Sequence, residues 1–193
     1  SQLQPPLHAL QAMRGLLSSS HHVSADELAR AARPWLEGHP QLQAVGYGVW
    51  APAGEGAAEM LIRHIEPRSG QQGATALDGT AWPAPPSLLD EARRRGTPFV
   101  QAGTPLPATD DDAAGTAGIT IGQVLYSGVP TTEAQRLEQT SGLVFVVLRP
   151  ERVLATLRAS LPGYLALCLS DAQQGRQAAL PAEGLLCDSP SNG

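Results

Sequence analysis

Apolar residues recur at helical spacing over the first forty positions and then give way to strand-like runs. Leu7, Leu10, Met13, Leu16 and Leu17 share one stripe, which predicts an amphipathic helix over residues 3–19. Gln2, Gln4, His8, Gln11 and Arg14 occupy its other face. Ser24 starts a second helix, and Glu27 three positions on completes a capping box. Leu28, Ala31, Ala32, Trp35 and Leu36 continue the stripe; Pro34 thins the helix near its end and Gly38 stops it.

From residue 42 the period changes. Residues 42–50 alternate, with Val45, Tyr47 and Val49 on one face and Ala44, Gly46 and Gly48 on the other. Glycines at alternate positions leave one face of that strand open to close approach. A second strand is expected over 60–65. The block from Asp78 to Arg149 begins with a proline-rich bend, Trp82-Pro83-Ala84-Pro85-Pro86, and a charged helix over 87–96. Apolar runs at 98–106, 118–129 and 141–148 then read as strand, hairpin and strand. The expected architecture is α+β: a mixed sheet of about five strands with helices on one side. A helix over 150–161 and a strand over 164–169 follow, then a polar tail. The chain therefore divides into N-terminal helices (1–40), a central unit (41–149) and part of a smaller unit (150–193) that packs with the first forty residues.

Composition narrows the class. Apolar residues make up 42% of the 193 positions and aromatics only 4%, so a core exists and is built mainly from Ala, Val, Leu and Ile. All thirteen basic side chains are Arg, which points to a GC-rich bacterial genome. Net charge is −5, and the one dense basic cluster, Arg93-Arg94-Arg95, reads as a solvated helix face beside Asp90 and Glu91. Nucleic-acid binding has little support on this balance. No apolar run approaches a membrane span of about 20 residues. The chain reads either as a soluble protein or as a segment whose flanking spans lie outside it.

Chemistry-bearing motifs are scarce. The five histidines show no helical His-x-x-x-His spacing, so no metal site is expected. Gly-x-Ser-x-Gly is absent, as is the Gly-x-x-x-x-Gly-Lys frame of a phosphate loop, so no catalytic residues and no cofactor are assigned. Three consecutive carboxylates, Asp110-Asp111-Asp112, suit a solvated loop tip better than alternating calcium ligands. Cys168 and Cys187 are either two reduced thiols or one disulfide closing the eighteen residues between them. The pairing is the expectation adopted, because the tail after Asp171 has too little apolar content to hold itself. An isolated acid, Asp78, stands between Leu77 and Gly79; it is either a turn residue or a binding group.

These segments together match a known pattern. The order His39-Pro40-Gln41-Leu42-Gln43-Ala44-Val45-Gly46-Tyr47, then Ile65-Glu66-Pro67, then Leu77-Asp78, resembles a CHASE domain. So do Ala92-Arg93-Arg94-Arg95-Gly96-Thr97-Pro98, Gln123-Val124-Leu125-Tyr126 and Gln135-Arg136-Leu137-Glu138-Gln139-Thr140-Ser141-Gly142-Leu143-Val144. The likeness spans about residues 10–160. It implies an extracytoplasmic sensor of a bacterial or plant histidine kinase or of a cyclic-di-GMP enzyme. It also implies a long N-terminal stalk helix followed by tandem PAS-like units, the membrane-distal one holding the ligand. In the plant cytokinin receptors of this family an Asp bonds the adenine ring, and Asp78 matches it; a backbone contact falls near Val100 and a Thr near Thr109. The sequence departs from the family at Leu77, at Gln123 and in the acid- and glycine-rich loop 110–116.

The resulting expectation is a periplasmic, non-enzymatic receptor domain that takes a small molecule of adenine type. Its pocket would lie between the central strands and the helix at 87–95, lined by Asp78, Val100, Gln123, Thr109 and strand 45–49, including Tyr47. A homodimer through the N-terminal helix is expected in the intact receptor. The alternative from another class is a dimerisation or partner-binding module with a degenerate pocket. A stand-alone secreted hydrolase would need a Ser, a His and an acid to meet in space.

Overall fold

The computed structural model describes residues 4–19, 23–52, 58–68, 79–82, 86–105, 117–159, 168–170 and 185–187. Two helices open the chain, α1 (Gln4–Ser19) and α2 (Ala25–Gly38), close to the boundaries that the apolar spacing predicts. The capping box at the start of α2 is formed: the Glu27 amide donates to the Ser24 hydroxyl at 3.3 Å and the Ser24 amide donates to the Glu27 carboxylate at 2.9 Å. Two of the four orphan amides of a helix start are satisfied in this way. At the other end of α2, Arg68 donates to the Leu36 carbonyl. Burial and the neighbouring Arg152 lower the pKa of that guanidinium, while Glu37 opposes the shift.

The strands are β1 (Leu42–Pro52), β2 (Ala58–Pro67), β3 (Phe99–Pro105), β4 (Ala117–Tyr126) and β5 (Thr140–Leu148). They form one sheet in the order β2-β1-β5-β4-β3, every neighbouring pair antiparallel. The sheet is therefore antiparallel throughout rather than mixed. Between them lie α3 (Pro86–Arg95) and α4 (Glu133–Gln139). The second of these is a short helix in what the apolar runs alone leave as a connection. It has a capping box of its own, with the Gln135 amide donating to the Thr132 hydroxyl at 3.2 Å. After β5 come α5 (Pro150–Arg158) and a separate two-stranded pair, β6 (Cys168–Ser170) and β7 (Leu185–Cys187).

Helices cover both faces of the large sheet, not one. On the first face α1 and α2 share a core with Leu42, Val45, Tyr47, Ile121, Leu125, Val144, Val146 and Leu148 of the sheet, and Val153 of α5 joins it. On the second face α3 supplies Leu89 and Ala92 against Ala44, Met60, Ile62, Phe99, Val124, Leu143, Phe145 and Val147. β5 lies between the other strands and is buried continuously from Gly142 to Leu148, which accounts for its unbroken apolar run.

The stripe of α1 is spent within the chain. Leu10 and Met13 are 1% and 2% exposed against the sheet, and burial of each such side chain contributes about 1.5–3 kcal/mol. Only the polar flank, Gln4, His8, Gln11, Arg14 and Ser18 with Ala12 and Gly15, faces outward. Tyr47 ties the two layers together: its hydroxyl donates to the Val23 carbonyl at 2.9 Å, and burial raises its pKa above the usual tyrosine value. Tyr47→Phe is expected to cost about 0.5–1.5 kcal/mol, the range for one intramolecular hydrogen bond, measured by urea unfolding at neutral pH. Because the folded-state pKa is raised, the wild type also loses stability as pH climbs past the free tyrosine value. The phenylalanine variant should show a smaller alkaline decline, because Tyr126, whose pKa burial also raises, remains.

Candidate functional site

The second face is where the sequence leaves room. Gly46 and Gly48 on β1 and Gly122 on β4 have no side chain there, and α3 lies across the strands. Three aromatic rings occupy the space. A Cβ on Gly46 would stand 2.4 Å from the Phe145 ring and 2.7 Å from the His64 carbonyl oxygen. A Cβ on Gly122 would stand 2.5 Å from the Phe99 ring. Trp82 packs edge-on against Phe145 at 4.6 Å between centroids. Both phenylalanines of the chain and two of its three tryptophans, Trp82 and the half-buried Trp50, thus pack on one sheet face.

Trp82 is held from three sides. Its amide donates to the Met60 carbonyl at 2.8 Å, and with Thr80 it lies along the outer edge of β2. Its indole N–H donates to the Gln101 side chain on β3 at 3.1 Å. Gly79, at φ +79°, makes the turn into this segment and donates to the Ile62 carbonyl. The polar groups at this end of the face are Gln101 and the fully buried Thr120 opposite it on β4.

The other end of the face is basic. Arg93 is the one member of the arginine triplet that turns inward: its side chain is 18% exposed, against 53% for Arg94 and 70% for Arg95. The solvated-face reading therefore holds for Arg94 and Arg95 and not for Arg93. The guanidinium of Arg93 lies 4.5 Å from the centre of the Trp50 ring. It donates to the Leu137 carbonyl at 3.0 Å and to the Thr140 hydroxyl and the Asp90 carboxylate, each at 3.3 Å. The Trp50 indole N–H is buried and has no hydrogen-bond partner among the described residues. Tyr126 donates to the Arg93 carbonyl at 2.8 Å, and burial raises its pKa. No three His, Cys, Asp or Glu side chains come together as a metal site among the described residues.

Of the residues expected to line a pocket beneath α3, the described ones lie on the opposite face of the sheet. Gln123 shares its face of β4 with Ile121 and Leu125, which pack on the α1/α2 side, and its partner on β5 is Val144. Tyr47 opposes the same Val144 from β1. Tyr47, Val144 and Gln123 thus form one row on the face opposite α3, and neither Tyr47 nor Gln123 reaches the glycine face. Val100 opposes Ile121, so it too turns from α3, and on the edge strand it is 59% exposed. Period-two alternation decides all three: shifting a position by one residue moves it to the other face. Asp78 and Thr109 lie outside the described residues. Sequence reasoning overlooked Trp82, Phe99, Phe145 and inward-turned Arg93. The available signal was the scarcity of aromatics, which makes each large ring a strong candidate to fill a glycine face.

Cys168 and Cys187 are direct partners in the β6–β7 register. Directly opposed residues of an antiparallel pair have Cα atoms about 4.5–5.5 Å apart, inside the range a disulfide spans. We expect the two to be crosslinked, which for this loop length contributes about 3 kcal/mol. Thiol titration of the denatured, unreduced protein should find no free thiol; two free thiols would reject the pairing.

A family model for the CHASE domain matches residues 49–180, more than half of the sequence. The chain belongs to the CHASE family, extracellular sensor domains of signalling receptors. No curated protein matches it. The matched region begins near the end of β1 and omits α1 and α2, so it starts later and ends later than the resemblance read from residues 10–160. No helix among the described residues is long and apolar enough to cross a membrane.

Proposed function

We propose that this chain is the periplasmic sensing domain of a bacterial transmembrane receptor whose output is a histidine kinase or a diguanylate cyclase. The observation that carries the proposal is membership of the CHASE family over residues 49–180. In this reading the large sheet with α1 to α4 is the membrane-distal PAS-like unit, and α5 with the β6–β7 pair leads into the proximal one. The domain itself is not an enzyme. It binds a small molecule, with an adenine derivative as the first candidate and Asp78 as its acceptor. A carboxylate accepting from adjacent N–H donors gains about 1.5–3 kcal/mol per bond.

The mechanism is differential binding: a ligand that fits one packing of the domain better than another shifts the population toward it. Thermal unfolding of the domain with adenine and N6-substituted adenines tests this. A ligand at 100 times its Kd stabilises by about 2.7 kcal/mol, and Asp78→Asn should abolish the shift. No shift with any adenine derivative would reject the adenine assignment.

A second reading, a partner-binding module with a degenerate pocket, is favoured by one observation: rings already fill the glycine face. Retention of signalling in the intact receptor by variants that leave no room for a ligand would support it. For the homodimer in the intact receptor, the outward flank of α1 is the available surface. Cysteines at Gln11 and Gly15 should crosslink between subunits, and cysteines at the buried Leu10 and Met13 should not.

A further inference from the structure

We infer that α3 is a movable cover over the ring-filled face and that its closed position is set by one side chain, Arg93. The inference deepens the sensor reading, but its test requires no ligand, so either can fail without the other.

The reasoning starts from how little apolar surface holds α3. Of its ten residues only Leu89 and Ala92 are buried, whereas β5 beneath it is buried along seven consecutive positions. An element with few buried contacts opens at a lower free energy than the core it covers. The remaining attachment is polar and concentrated at the C-terminal end. There α3 and α4 exchange arginine caps: Arg93 donates to the Leu137 carbonyl of α4, and Arg136 donates to the Arg94 carbonyl of α3. Arg93 also reaches the Thr140 hydroxyl, which itself donates to the Arg136 carbonyl at 2.7 Å. Tyr126 donates to the Arg93 carbonyl, and Gly96, at φ +69°, turns the chain against Tyr126 and Arg136. These bonds join the end of α3 to α4, to the end of β4 and to the start of β5. They form a pivot, and a planar guanidinium serving three acceptors while lying over Trp50 is a role that an ammonium group cannot reproduce.

When α3 swings about this pivot, Leu89 and Ala92 leave the sheet and expose the rings of Phe145, Phe99 and Trp82. An aromatic surface of that kind would accept a flat, largely apolar ligand. Closure over such a ligand would move α4, which runs directly into β5 at Thr140 and so into the strand that feeds α5.

Hydrogen exchange of the full 193-residue chain, followed by mass spectrometry, tests the cover. In the wild type, amides of Leu89 to Arg95 should exchange at least 10-fold faster than those of Val144 to Val147. Arg93→Lys should speed the α3 amides a further 10-fold or more and leave the β5 amides unchanged. Equal protection of α3 and β5 in the wild type would mean that α3 opens only with the whole fold and would overturn the inference. An equal acceleration of both elements by Arg93→Lys would reduce Arg93 to a general stabilising residue, and no acceleration would remove it from the pivot; either would also overturn it.

Discussion

Phe145→Ala is expected to destabilise the domain by about 3–5 kcal/mol, the range for removing a fully buried phenyl ring. The ring is 1% exposed, lies on the central strand β5, and meets Trp82 on one side and the backbone of Gly46 on the other. The glycine cannot collapse into the void, because its strand is fixed by antiparallel pairing to both β2 and β5. The cavity term should therefore be added nearly in full to the lost transfer energy. Urea unfolding with an unchanged slope should show the loss as a lower midpoint. A loss below about 1 kcal/mol would mean that the face repacks freely and that the ring is a loose plug rather than a wall.

The second large effect separates two glycines that look alike in the sequence. Gly122→Ala and Gly46→Ala should each cost about 1–3 kcal/mol by overpacking. At Gly122 the obstacles are all atoms of the Phe99 ring, whereas at Gly46 the His64 carbonyl stands 2.7 Å away in addition to the Phe145 ring. A side chain can be removed by mutation and a carbonyl of a paired strand cannot. Gly122→Ala should hence become nearly neutral in a Phe99→Ala background, giving a coupling energy comparable to its single-mutant cost. Gly46→Ala should keep a substantial cost in a Phe145→Ala background. Equal relief in both cycles would show that β2 yields at His64, and the close strand approach could no longer explain the glycine.

Much of the architecture was legible because local rules act within a few residues. The stripe from Leu7 to Leu17, the Ser24–Glu27 box and the alternation of residues 42–50 all depend on neighbours in sequence, and the corresponding elements form near the expected boundaries. The family was legible as well, because the ordered segments from His39 to Val144 together identify it, and the family match confirms that reading. The helix α4 was missed because seven residues with no buried side chain carry no apolar period; only its Thr132–Gln135 box marks it.

Alternation along β1 and β4 separates each strand into two faces, but it cannot say which face of one strand adjoins which face of another. That depends on the order β2-β1-β5-β4-β3 and on the register that sets Gln123 and Tyr47 opposite the same Val144. Only long-range pairing determines that register, and it carried Tyr47, Gln123 and Val100 away from α3. The sequence by itself determined where α1, α2, α3 and most of the strands run, that two glycine positions leave a face open, and the family; it missed α4 and read the single strand β4 as a hairpin. The tertiary structure decided that Phe145, Phe99 and Trp82 fill that face and that Arg93 rather than its neighbours turns inward. These outcomes follow from contacts between residues tens of positions apart, which become neighbours only once the sheet has closed its register.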